Sequence, residues 1–172
     1  MGDIVDRLKG GDLRSIGRAN EVAEEVINNL DLFDDLFKGI NNEDPVVRMR
    51  AADAVEKVTK RHPEYLIPYK TVLLGQAAGL KQQEVRWHVA QLLPRLILDE
   101  NEKSKAVEIL FEYLEDQSRI VQTNALQALV DLAMRNAVLL PRVMDVVERL
   151  SQTGSAAVKN RALKLLEKLK AG

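Results

Sequence analysis

The chain has no cysteine. That absence removes disulfides, thiolate nucleophiles and every cysteine-based metal site. Aromatic residues are scarce, 4% of the sequence with a single Trp. Neither sign of charge dominates: 25 Lys and Arg face 26 Asp and Glu, a formal net charge of -1. Bulk charge therefore does not point to nucleic acid or to an anionic membrane surface. No stretch approaches the roughly 18 consecutive apolar residues of a membrane helix, so no membrane insertion is expected. The opening MGDIVDRLKGGD carries charges throughout and lacks the apolar core of a secretory signal. Gly2 followed by Asp6, where Ser or Thr is wanted, fails the myristoylation pattern. A cytoplasmic protein is expected.

What is present is a repeat. The 172 residues are 46% hydrophobic, enough for a folded core. Four segments share one pattern when Arg48, Arg86, Gln122 and Lys159 are taken as anchors, which stand 38, 36 and 37 residues apart. A valine precedes each anchor: Val47, Val85, Val121 and Val158. Three residues after come Ala51, Val89, Ala125 and Ala162; seven after, Val55, Leu93, Leu129 and Leu166. With Ala54, Leu92, Ala128 and Leu165 at +6, and Val58, Leu96, Leu132 and Leu169 at +10, these positions make one stripe on a 3.6-residue helix.

Upstream of each anchor lies a second, shorter apolar helix, marked by Leu36, Leu74, Leu110 and Val147 at -12. Each unit is thus two helices joined by a polar loop. Asn41 to Pro45 and Gln152 to Ser155 supply the turn and capping residues. A degenerate opening unit places Ala19, Val22, Ala23 and Val26 at the core offsets of Ile16, with Gly10 and Gly11 as its loop. No strand is expected, because neither period-two alternation nor a hairpin dipeptide occurs. The units run over 2–29, 30–62, 63–99, 100–135 and 136–170, one repeat domain across the chain.

Paired helices at this period, opening on Asp44-Pro45-x-Val47-Arg48 with Ala51, Ala52 and Ala54, resemble the HEAT repeat family. The resemblance implies an all-α fold: a right-handed, armadillo-like α-solenoid of about five helical hairpins whose second helices line the concave face. The family places an aspartate six residues before the anchor to pair with the anchor arginine. That position holds Asn42, Leu80, Asp116 and Thr153 here, so the side-chain ladder is incomplete.

Catalytic patterns are missing. His62 and His88 stand 26 residues apart with no zinc spacing between them, and no phosphate-cradling glycine loop follows a strand. The serines near predicted helix starts read as caps, and His62 as a basic residue in a last turn. Pro94, in mid-helix, is expected to kink its helix. No metal and no cofactor is expected, and the chain does not read as an enzyme.

Away from the core stripe, offsets +1, +2, +5 and +9 bring Trp87, His88, Gln91 and Arg95 to one face. Met49, Arg50, Asp53 and Lys57 flank them in the preceding unit, and Thr123, Asn124, Gln127 and Asp131 in the next. Arg50, Trp87, His88, Gln91, Arg95, Asn124 and Gln127 are therefore the expected contacts to a protein or peptide partner on the concave side. Trp87 is either an exposed anchor or a packing residue between adjacent second helices. Charge is uneven as well: residues 20–44 carry eight acids against Lys38, while 155–172 are basic. This either steers a partner or caps the two ends of the array.

The HEAT architecture also carries alkylpurine DNA glycosylases and phycobilin lyases, so nucleic-acid binding or lyase chemistry is the alternative function. A glycosylase needs a basic, aromatic-rich concavity, which this composition does not offer. Nucleic acid is accordingly not the expected partner.

Overall fold

The computed structural model describes residues 4–171. Among them 79% is helix and none is strand. The chain divides into two compact units, one ending at Ile97 and the other beginning at Leu98. Gly2, named in the myristoylation argument and as the start of the first repeat, lies outside the described residues.

In the first unit a 3-10 turn at Asp6–Leu8 leads through a glycine-containing loop into α1 (Ala19–Asn28). Gly10, Gly11 and Gly17 have φ of 81°, 78° and 52°, left-handed values that let the loop double back. After a 3-10 turn follow α2 (Phe33–Lys38) and α3 (Pro45–Arg61). A 3-10 stretch at Pro63–Tyr69 then runs into α4 (Lys70–Val72), which widens to a π turn at Leu73–Ala77, before α5 (Gln83–Leu92). Pro68, without an N–H, lies in the 3-10 stretch, and α-helical bonding begins only after it, at Lys70.

The long helix α3 is the centre of this unit and packs against α1, α2 and α5. Its start is fixed locally: the Asp44 carboxylate accepts from the Val46 N–H at 2.8 Å, and Pro45 occupies the first turn. Its stripe of Val47, Ala51, Ala54, Val55 and Val58 is fully buried. The alanines let α2's end approach closely: a Cβ on Gly39 would stand 2.8 Å from Ala51 Cβ. Val85, Val89 and Leu92 repeat the buried stripe on α5, continued by the buried Leu93 just after it, and Ala19, Val22, Ala23 and Val26 repeat it on α1. Each buried Val or Leu contributes roughly 1.5–3 kcal/mol.

Pro94 does not kink a continuing helix. The α-helix ends at Leu92, Leu93–Arg95 form a 3-10 turn, and Leu96 is extended. The missing N–H falls where the ladder has already stopped, so the proline terminates the element.

The second unit holds α6 (Glu100–Leu114), α7 (Arg119–Ala133), α8 (Leu140–Thr153) and α9 (Ala156–Ala171). Asp99 and Glu102 form a reciprocal capping box at the start of α6, both bonds 2.9 Å. The Ser118 hydroxyl caps α7. Helix α7 packs against α6, α8 and α9, and α8 against α9. Val121, Ala125, Ala128 and Leu129 are buried, as are Val158, Ala162 and Leu165. Leu132, Leu166 and Leu169, expected in the same stripe, are only half-buried. The last two lie on α9, the final helix described.

Candidate functional site

The second helix of each pair carries the expected binding face. On α3 and α5 that face is laced by polar bonds between neighbouring helices. Lys57 Nζ lies 2.5 Å from both Asp53 Oδ2 on its own helix and Asn20 Oδ1 on α1. Arg95 reaches back to α3, donating to the Glu56 carbonyl at 2.7 Å, to Thr59 Oγ1 at 2.9 Å and to the Glu56 carboxylate. His88 is buried; its Nδ1 sits 3.0 Å from Gln91 Oε1, and its Nε2 is 3.9 Å from Asp53 Oδ1. Burial pushes the His88 pKa below its ordinary value, outweighing the pull of Asp53 and the Gln91 hydrogen bond.

Trp87 neither disappears into the core nor stands fully clear: it is half-buried, with its ring 5.5 Å from the His88 imidazole. Gln91 and Arg95, four and eight residues further along, are half-buried as well. On the second unit, Gln127 donates to Asp131 Oδ1 at 3.0 Å and accepts from Arg161 at 3.0 Å, while Lys168 bridges to Asp131 at 3.0 Å. The α7 and α9 faces are thus tied together as α1, α3 and α5 are. Asn124 donates to the carbonyl of Ile120, one turn back on its own helix, at 2.9 Å.

Arg50 requires a correction. Expected on the binding face, it is 3% exposed and turned into the N-terminal loop. Its guanidinium donates to the carbonyls of Leu8 at 2.8 Å, Gly10 at 2.6 Å and Ser15 at 3.1 Å. The opening unit has only a 3-10 turn for a first helix, so its loop carbonyls lack helical partners and the long arginine satisfies them. A Cβ on Gly17 would meet the guanidinium at 2.7 Å, so this position admits only glycine without displacement. His88 likewise lies beneath the surface, not on it. The expected row of Arg50, His88 and Asn124 is therefore not a ladder of exposed side chains: each is committed to a different neighbour.

The incomplete aspartate ladder has a different physical answer. Arg48 Nη1 donates to the Asn42 carbonyl at 2.8 Å, Arg86 Nε to the Leu80 carbonyl at 2.8 Å, and Gln122 Nε2 to the Asp116 carbonyl at 2.7 Å. In all three the acceptor is the backbone six residues before the anchor. The anchor's bond does not use the side chain at that position, so Leu80 keeps it; the Asn42 and Asp116 side chains instead accept from the N–H groups of Asp44 and Ser118.

Sequence reasoning missed an aromatic cluster between α2 and the 63–69 segment. Phe33, Phe37, Tyr65 and Tyr69 meet there, with Phe37 and Tyr69 stacked at 4.0 Å. The Tyr69 hydroxyl donates to Asp34 Oδ1 at 2.8 Å. Burial and that bond raise the Tyr69 pKa to about 12, while bonds from Lys38 and then Tyr69 hold the Asp34 carboxyl below its usual value. The i, i+4 spacing of Phe33 with Phe37 and of Tyr65 with Tyr69 was the available signal.

Among the described residues no three His, Asp or Glu side chains gather as a metal site, and no helix is long and apolar enough to cross a membrane. No family model and no curated protein matches the sequence. The fold does have solved likenesses. One is the crystal structure of an engineered protein from the Northeast Structural Genomics Consortium, with a TM-score of 0.67. The match covers 98% of this chain and 78% of that one at 19% identity, a likeness of fold alone.

Proposed function

We propose that the chain is a non-enzymatic, cytoplasmic scaffold that binds a protein or peptide, and that its helical pairs form a HEAT-like solenoid with the second helices on the concave side. The 36–38-residue spacing of the anchors supports the solenoid reading. The binding reading is carried by Trp87. It is a large, rigid side chain, half-buried on α5 one turn before Gln91, and Lys57 and Arg95 of the expected face are already held by bonds to α1 and α3. Such a surface loses little side-chain freedom when a partner docks, and buried aromatic anchors carry much of the energy of protein interfaces. Of the sequence candidates, Trp87, Gln91 and Arg95 remain as contacts in the first unit, and Asn124 and Gln127 in the second. His88 supports the face from below, while Arg50 is turned away into the N-terminal loop.

The test pairs binding with folding. Proteins retained by the immobilised chain are identified by mass spectrometry and compared with those retained by a Trp87→Ala variant. The expected result is a partner whose affinity falls about thirtyfold, near 2 kcal/mol, while the melting temperature is nearly unchanged. Intact capture, or unfolding of the variant, shows Trp87 to be packing. Salt-sensitive binding of generic duplex DNA without a protein partner would instead establish the nucleic-acid function.

A further inference from the structure

The aromatic cluster of the first unit borders an open hollow of about 350 Å³. Its floor is Phe33, and its walls are Tyr65 and Tyr69, whose rings stand at 67° and 62° to the Phe33 ring. Centroid separations are 5.5 and 5.6 Å, and Phe37 stacks behind Tyr69 to brace that wall. The space fits the head group of one side chain; it is at the small end of ligand pockets.

Every charged side chain lining the hollow is acidic: Asp31, Asp34 and Glu64. Asp34 is held by Tyr69 and Lys38, and His62 lies 3.1 Å from Glu64. Asp31 is exposed and enters no ion pair among the described residues. Of the eight acids at 20–44, Glu21, Glu24 and Glu25 pair with Arg18, Arg61 and Arg7, and Asp34 and Asp35 with Lys38, so the rim charge open to a ligand rests chiefly on Asp31. Aromatic faces and a negative rim together favour a cation. The carboxylates add a preference for N–H donors, which a quaternary ammonium lacks. A planar guanidinium both stacks on a tyrosine and forks onto a carboxylate.

We infer that this hollow seats an arginine side chain of a basic peptide, its guanidinium between Tyr65 and Tyr69 with Asp31 as the acceptor. The site is separate from the Trp87 face and does not depend on it. The carboxylates on the rim attract the cation, and the aromatic hollow selects the arginine.

The test uses the full chain and a fluorescein-labelled peptide of three arginines spaced by glycines, beside a twin with citrulline replacing arginine. Fluorescence anisotropy at low salt reads affinity, and amide NMR shifts read position. Expected are saturable binding, shifts concentrated at residues 30–34 and 64–69, and no binding of the citrulline twin. Asp31→Asn and Tyr65→Leu should each weaken binding about threefold or more. Trp87→Ala should leave it unchanged, so failure here and failure of the Trp87 reading are told apart. Should Tyr65→Leu fail to fold, the exposed Asp31→Asn decides alone. An equal loss in Asp35→Asn, dispersed shifts, or absence of binding overturns the inference. So does free guanidinium binding as tightly as the peptide, since the site would then belong to a small cation.

Discussion

Gln82 and Arg48 hold two neighbouring hairpins of the first unit together: Arg48 Nε donates to Gln82 Oε1 at 2.8 Å, and Gln82 Nε2 donates to the Pro45 carbonyl at 2.8 Å. Gln82 occupies the N-cap position of α5 but makes no side-chain cap there, because its amide is engaged across the hairpins. Gln82→Ala should therefore lose bonds between hairpins, not a cap. The expected cost is about 1–2 kcal/mol in urea unfolding. An unchanged midpoint would show that water replaces the amide without loss.

Arg50→Met should destabilise the N-terminal loop. The substitution keeps the apolar stem and removes the donors that hold the carbonyls of Leu8, Gly10 and Ser15. About 1.5–3 kcal/mol of stability should go, and trypsin should cut faster after Lys9, Arg14 or Arg18. Cleavage at the wild-type rate would mean the loop is held by its own contacts.

The contrast between these two arginines shows what a sequence discloses. Burial of Val55, Leu93 and Leu129 was legible because periodicity itself encodes which side of a helix faces the core. Arg50 was not, since the wheel gives only the direction in which its stem leaves α3. Its destination was set by unpaired carbonyls about 40 residues earlier in the chain. For Trp87 the pattern allows exposure or packing, and the side chain is half-buried. The Tyr65 hollow was hidden for another reason: its floor and walls come from segments separated by a whole α3.

Leu93→Ala and Leu129→Ala should each cost about 2–5 kcal/mol, because both side chains are fully enclosed. The spread reflects how far each surrounding core relaxes. Denaturant midpoints with unchanged slopes measure it. A loss under half a kcal/mol in either would mean that its core collapses onto the space.

Gly39→Ala should destabilise by overcrowding. The new methyl would lie 2.8 Å from Ala51 Cβ, closer than carbon atoms approach, and Ala51 has no rotamer with which to escape. About 1–3 kcal/mol is expected. The double variant Gly39→Ala, Ala51→Gly should recover part of the loss, although glycine within α3 brings roughly 1 kcal/mol of its own penalty. No recovery would place the clash elsewhere.

His88 gives the last prediction, a dependence of stability on pH. Burial, the leading cause, lowers its pKa in the folded state, so the folded protein resists a proton that the unfolded chain accepts. Below the unfolded value of about 6.5 the unfolded state binds more protons, and stability falls as pH falls toward the folded pKa. Above pH 7 both states hold a neutral imidazole and the contribution is complete. Asp53 and Glu56 oppose the shift while Lys57 reinforces it, and burial exceeds the opposing pull. His62, the other histidine, is half-buried beside Glu64 at the end of α3. Urea midpoints measured between pH 7.5 and 5.5 should decline in the wild type. They should decline less in His88→Gln, which retains a polar side chain without a group that titrates. An identical decline in His88→Gln would assign the acid sensitivity to another group.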